Sequence, residues 1–290
     1  MKSQQRVNRY LRALIPPFLF SIPRVLGDIY SSPKSKSPDY QDQALVDLVL
    51  QKNLILRDQD PSTPLDINSF SVLAAVGLAC KGLGRLSVLD FGGGCGHHHL
   101  TAKRAFPELQ LDWWVVETQM MAMQAASRIQ EPGLSFSSEI ENILTEKSRF
   151  GLIFSNSAIQ YTSDPLGTLT KLLSLSFEHI FITRFPVTLD DRPIVYAQKS
   201  RISANGPGPA PLGFKDSYAS YENHIARQTD VEKLLAMHLR VWHIVDEGPW
   251  DYPRFGSQVR TTTYFGFKKP SNEFPLVEKN ADTAQAMPTP

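Results

Sequence analysis

"VLDFGGGCGHHHL", residues 88–100, decides the fold. A short apolar run ends in Asp90, glycines follow at 92, 93, 94 and 96, and three histidines at 97–99 open a segment of helical composition. A strand that breaks into glycine before a helix is where an α/β sheet brings its backbone up to a ligand. Gly92, Gly94 and Gly96 let the chain turn sharply and approach that ligand closely. A dinucleotide fingerprint needs G-x-G-x-x-G, and its third glycine falls on His97. The spacing present is D-x-G-x-G-x-G. Asp90 would sit poorly against a pyrophosphate and suits a ligand that carries an ammonium group and no phosphates, such as S-adenosyl-L-methionine.

The same alternation continues on both sides. "RLSVLDF", "LDWWVVE", "LSFSS", "FGLIFSNS" and "HIFITRF" have strand character, and each is followed or preceded by a segment of helical spacing. "DPLGTLTKLLSLS" places proline in the first turn of a helix. "LRVWHIVDEG" and "RTTTYFGFKK" are joined too closely for a helical crossover and must pair antiparallel. The expected fold is an α/β, Rossmann-like sheet of seven strands with the last strand antiparallel. Residues 1–84 are expected to form an N-terminal arm and helical extension, 85–268 the Rossmann-like domain, and 269–290 a disordered tail. Residues 188–227 interrupt the rhythm with "ANGPGPAPLG" and are expected to be an inserted, loop-like lid. Thr229 and Glu232 have capping-box spacing at the helix that follows.

The bulk of the chain narrows the function classes. Its 290 residues are 42% hydrophobic and 20% charged, with a formal net charge of +1. That balance offers nucleic acid no basic surface. The two cysteines, Cys80 and Cys95, form neither a metal spacing nor a disulfide framework, which fits a reducing, cytoplasmic setting. The N-terminal stretch sets Lys2, Arg6, Arg9, Arg12 and Arg24 around a short apolar run broken by Pro16 and Pro17. It is too short to span a bilayer. It reads either as an arm docked on the body or as a basic segment making weak peripheral contact with the inner face of a membrane.

Glu117 ends the second strand, 21 residues beyond Gly96. A carboxylate there can accept hydrogen bonds from both ribose hydroxyls of an adenosine. With that residue in place, 85–184 resembles a class I S-adenosylmethionine-dependent methyltransferase. More narrowly, "VLDFGGGCG", "WWVVE", "LSFSSEIENI", "SNSAIQYTSDPLGTL" and "FITRFP" resemble a bacterial methyltransferase family associated with surface-polysaccharide genes. The resemblance implies that Asp90, Gly92 and Gly94 border the methionine part of the cofactor and that Glu117 holds its ribose, with Gly96 a further candidate for cofactor binding. It also implies that Ser138 and Glu139 lie near the adenine and that Ser155 and Asn156 face the transferring methyl.

Other residues are candidates for the chemistry. Three consecutive helical histidines point about 100° apart and cannot converge on one metal ion, so no metal is expected. His98 or His99 can serve as a general base, or the three can be packing and hydrogen-bonding residues. Asn156 and Tyr161 follow the fourth strand and stand close to the expected reaction. Arg184 ends the fifth strand, where it can clamp an anion or form a local salt bridge. Tyr218 and Tyr221 in the insertion suit a ring-shaped acceptor. The function expected is methyl transfer from S-adenosyl-L-methionine to a small or medium polar acceptor, such as a sugar or sugar-containing intermediate. The alternatives are a catalytically silent methyltransferase-like binding domain and a nicotinamide-dependent oxidoreductase, the latter disfavoured by the glycine spacing.

Overall fold

The computed structural model describes residues 42–270, apart from 61, 66 and 251–254. The basic N-terminal stretch and most of the tail lie outside the described residues. Helix α1 (Gln43–Arg57) opens the described chain, capped by the Asp42 carboxylate, which accepts from the Ala44 amide at 2.9 Å. Helix α2 (Phe70–Cys80) follows. Strand and helix then alternate through β1 (Arg85–Phe91), α3 (His97–Ala105), β2 (Gln110–Val116), α4 (Gln119–Arg128), β3 (Leu134–Ser137), α5 (Ile140–Glu146), β4 (Phe150–Asn156), α6 (Pro165–Ser174) and β5 (Phe177–Thr188). A hairpin, β6 (Ile194–Arg201) with β7 (Tyr218–Arg227), precedes α7 (Gln228–His238), β8 (Leu239–Pro249) and β9 (Val259–Lys268).

The main sheet runs β3-β2-β1-β4-β5-β9-β8. The first five strands are parallel, and β9 lies antiparallel between β5 and β8. This is the expected seven-stranded Rossmann-like sheet, with its last strand antiparallel. Strand order reverses between β1 and β4, so the crevice beyond their carboxyl ends is the ligand-binding edge of such a sheet. Both faces are covered. One buries Ile143, Phe150, Leu169, Leu172 and Leu235 among α5, α6 and α7. The other buries Val76, Val88, Ala102, Trp113 and Phe154 among α2 and α3.

Two local features differ from expectation. The insertion at 188–227 is not mainly loop: β6 and β7 pair antiparallel from Ile194↔Ile225 to Arg201↔Tyr218. β7 also extends the sheet at Val187↔Ala226 and Thr188↔Arg227, where β5 has outrun β4. The hairpin therefore rises over the carboxyl end of β4. The second difference is the start of α7. Thr229 and Glu232 form no capping box, because the helix begins at Gln228 with Arg227 in the cap position. The Arg227 guanidinium bonds the Asp230 carboxylate at 2.7 Å, and Gln228 donates to Glu232.

Candidate functional site

A cleft of about 900 Å³ opens at the switch point. β1 contributes Gly92 and Gly94 from the loop that follows it, β2 contributes Glu117, β4 Asn156 and Ser157, and β5 Arg184. Tyr161 and His98 also line it. These residues come from distant parts of the sequence because parallel strands end at one edge of the sheet.

The glycine loop is shaped by what lies against it. Gly92 has φ +74°, and a Cβ there would meet the Ala158 Cβ at 2.1 Å. A Cβ on Gly93 would fall 2.3 Å from Asp90 Oδ2. Asp90 itself is fully buried beneath the loop. Its Oδ2 bonds His98 Nδ1 at 2.9 Å and accepts from Trp113 Nε1 at 3.0 Å. Asp90 was expected to border a ligand, but it does not line the cleft. Its carboxylate instead ties α3 to β2 under the loop, because a buried charge needs hydrogen-bond partners at close range. Gly93, passed over in the sequence reading, is the glycine this arrangement demands.

Glu117 faces the cleft from the opposite side of the loop. Oε1 accepts from the Gly94 amide at 3.0 Å, and Oε2 accepts from the Thr118 amide at 2.8 Å. Burial pushes its pKa up, against the lowering effect of those two amides. An ionised carboxylate has about four lone-pair sites, so each oxygen retains one acceptor position. On β4, the amide oxygen of Asn156 is buried without a hydrogen-bond partner.

The histidines divide as three different environments. His98 is buried against Asp90 and edge-on to Phe154. His99 is fully buried, edge-on to Trp113, with both ring nitrogens lacking a partner. Burial lowers its pKa to about 4, with Lys103 adding to the effect. His97 borders the cleft, and burial holds its pKa well below the usual histidine value. No cluster of three metal-ligating side chains occurs among the described residues. The Cys95 thiol is fully buried, and burial pushes its pKa up to about 12, so it offers no nucleophile.

Two non-glycine residues adopt left-handed backbone, Ser157 at φ 53° and Arg184 at φ 52°. Both line the cleft. Such strain persists where surrounding structure holds it and concentrates at functional sites. Ser157 is held by its amide bonding the Thr183 carbonyl at 3.0 Å and by Gln160 donating to its hydroxyl at 2.9 Å.

The remaining expected site residues fall elsewhere. Ser155 is buried behind the cleft and donates to the Phe91 carbonyl at 3.0 Å. Gly96 occupies the N-cap of α3. Ser138 and Glu139 do not line the cleft, and Glu139 caps α5 by position. The two insertion tyrosines were expected at the acceptor pocket, and neither lines it. Tyr218 is half exposed beneath Lys199 and Arg201, because it starts β7 at the far end of the hairpin. Tyr221 is buried, accepts from Asn205 Nδ2 at 3.3 Å and packs edge-on to Tyr161, one layer behind the lining.

The roof of the cleft joins part of the expected lid to α1, which the sequence reading did not assign to the site. Val49 and Lys52 of α1 line it, together with 203–211 of the β6–β7 connection. Lys52 is buried, and its ammonium donates to the Ser203 carbonyl at 2.9 Å and the Asn205 carbonyl at 2.8 Å. Burial lowers its pKa. A signal was present: Lys52 continues the apolar stripe Leu45–Leu48–Val49 at helical spacing, where a lysine must find buried acceptors. On the β-sheet side the lining also includes Gln198, Ser200 and Trp250.

No protein-family model matches the chain, and none of the curated proteins does. Among solved structures the chain is similar to magnesium protoporphyrin IX methyltransferase from Synechocystis PCC 6803 with bound S-adenosylmethionine. Identity is 10%, covering 81% of this chain and 100% of that one, with a TM-score of 0.43. It is also similar to the sugar N-methyltransferase KedS8 from Streptoalloteichus, at 13% identity over 83% of this chain and 96% of that one, TM-score 0.43. An S-adenosylmethionine-dependent methyltransferase from Clostridium acetobutylicum aligns at 16% identity over 75% of this chain and 98% of that one, TM-score 0.41.

Proposed function

We propose that the chain transfers a methyl group from S-adenosyl-L-methionine to a small or medium polar acceptor, such as a sugar or sugar-containing intermediate. The observation that carries this reading is Glu117. Its two oxygens each hold one backbone amide and each keep one acceptor position toward the cleft, which suits a vicinal diol. The carboxylate is also bonded to the Gly94 amide, so the diol-binding group and the close-approach loop form one unit.

When bound, S-adenosyl-L-methionine supplies a methyl group already activated by the sulfonium. The protein's part is alignment and exclusion of water. Glu117 would hold the ribose, and the Gly92–Gly94 backbone would run along the methionine portion. Asn156, with its unpartnered amide oxygen, would orient the acceptor or the ammonium group. Tyr161 also lines the cleft. His98 bonds Asp90 through Nδ1, and its Nε2, which has no hydrogen-bond partner, is the atom that would take a proton. A hydroxyl acceptor needs such a base; a carboxylate acceptor needs none.

The test is to incubate the protein with cell extract and S-adenosylmethionine carrying an isotopically labelled methyl, then follow the label by mass spectrometry. A small polar metabolite that gains the labelled methyl only with active protein is the expected result. No labelled product, in an extract where a control methyltransferase works, would leave a binding domain as the surviving reading.

A further inference from the structure

We propose that the side of the cleft beyond β4 and β5 binds an anionic group, a phosphate or carboxylate carried by the acceptor, at the guanidinium of Arg184. The proposal rests on the methyl-transfer reading only in calling this ligand the acceptor.

The charge of the lining is one-sided. Lys52, Arg104 and Arg184 line the cleft, and Glu117, on the glycine-loop side, is the single carboxylate among its described lining residues. Three cations against one carboxylate leave the lining cationic on balance, and Arg184 is the cation on the β5 side. A concave site of one sign concentrates ligands of the other. Lys52 uses its ammonium to hold two carbonyls of the roof and keeps a third N–H. Arg184 forms no ion pair with any described residue, and its five donors in a planar fork match a phosphate or carboxylate.

The backbone under Arg184 is built to aim it. β5 slips register against β9 between Ile182 and Phe185, and Arg184 sits in that bulge in left-handed conformation. Bulges re-aim side chains beside sites. The Glu247 carboxylate holds this one, because its Oε1 accepts from the Arg184 amide at 3.0 Å. The hydroxyls of Thr183 and Thr263, 2.8 Å apart, join the same oxygen. Arg184 is exposed, and the bulge with its pinned amide fixes where its side chain leaves the strand. Glu247 is thus a positioning residue for Arg184.

The test uses the full chain without any S-adenosyl compound, so that it stands apart from the cofactor reading. The side-chain Nε–Hε resonance of Arg184, assigned by its loss in Arg184→Gln, is followed by NMR on titration with phenyl phosphate, benzoate and benzyl alcohol. Saturable shifts with phenyl phosphate or benzoate, and none with benzyl alcohol, are expected; the stronger of the two anions identifies the acid. Arg184→Gln should weaken that anion about tenfold or more. Glu247→Ala should weaken it as well, and Glu247→Gln, which keeps the acceptor oxygen, should restore it. The proposal is overturned by equal response to benzyl alcohol, by absence of saturable anion binding, or by undiminished anion affinity in Arg184→Gln. Unchanged affinity in Glu247→Ala removes Glu247 from its positioning role. Separate calorimetry with S-adenosylhomocysteine reports on the cofactor reading alone.

Discussion

Gly93 and Asp90 show how closely the loop is fitted to the residue beneath it. The carboxylate cannot move aside for a Cβ, because His98 and Trp113 both hold it. Gly93→Ala should therefore destabilise the protein by about 1–3 kcal/mol, the usual cost of overpacking, read as a lowered urea midpoint with unchanged slope. His99 gives a prediction in pH. Its pKa is lowered to about 4 by burial, so the folded state resists protonation that the unfolded chain accepts from about pH 6.5 downward. Its contribution is present above that value and is lost as pH falls toward 4; His97, also lowered, acts in the same sense. Glu117, with a raised pKa, works oppositely and favours the folded state at low pH. Because neither nitrogen of His99 has a partner, His99→Leu should cost no hydrogen bond. It should remove acid destabilisation on the order of 3 kcal/mol. Urea titrations from pH 7 to pH 4 check this, and an unchanged acid limb would contradict it. At this scale Glu117 and Asn156 were legible, since both stand where a parallel strand ends and such ends converge; Arg184, expected at the end of the fifth strand, instead sits in a bulge within β5, which runs on to Thr188. The part Asp90 plays was not legible. A D-x-G-x-G pattern looks the same whether its carboxylate meets a ligand or lies under the loop, and only the partners on α3 and β2 decide.

At the scale of elements, the β6–β7 hairpin and α1 make the roof. The strands and helices from β1 to β5 were legible because each carries its own period and is bounded by a turn or cap. The hairpin was not, although "IVYAQKSR" and "YASYENHIAR" alternate between buried and exposed positions. Its strands are joined by the long connection 202–217, so the tight-turn signal of a hairpin is missing and the proline and glycine of the connection dominate the reading. That connection depends on Lys52. Lys52→Met keeps the stem and removes the ammonium, leaving the Ser203 and Asn205 carbonyls without their donor. The expected loss is about 1–3 kcal/mol of local stability. Amide hydrogen exchange should rise in 202–213 and stay unchanged in β1 and β4. A uniform rise across the sheet would show that Lys52 supports the whole fold and not the roof.

For the molecule as a whole, function follows from where the sheet reverses its order. β1 and β4 diverge in their connections, and the crevice between them collects residues from β1, β2, β4 and β5 and the loops that follow them. On one wall stand Glu117 and the glycine loop, suited to an adenosyl group; on the other stand Arg184 and the roof held by Lys52. The wall carried by the first two strands was legible in the sequence, because its residues lie within a single strand–loop–helix–strand unit. The other wall was legible at Arg184 and at the glycine- and proline-rich segment expected as a lid, but not at α1 and β6, which share no local pattern with them. The first wall decides which cofactor the cleft takes. The most direct measurement is calorimetric titration of the full chain and of Glu117→Ala with S-adenosylhomocysteine and with NAD. The account predicts saturable binding of S-adenosylhomocysteine, none of NAD, and an affinity weakened about 10- to 100-fold in the variant, the loss of a charge-assisted pair of hydrogen bonds worth roughly 1.5–3 kcal/mol. Equal affinity in the folded variant, or preference for NAD, would contradict it.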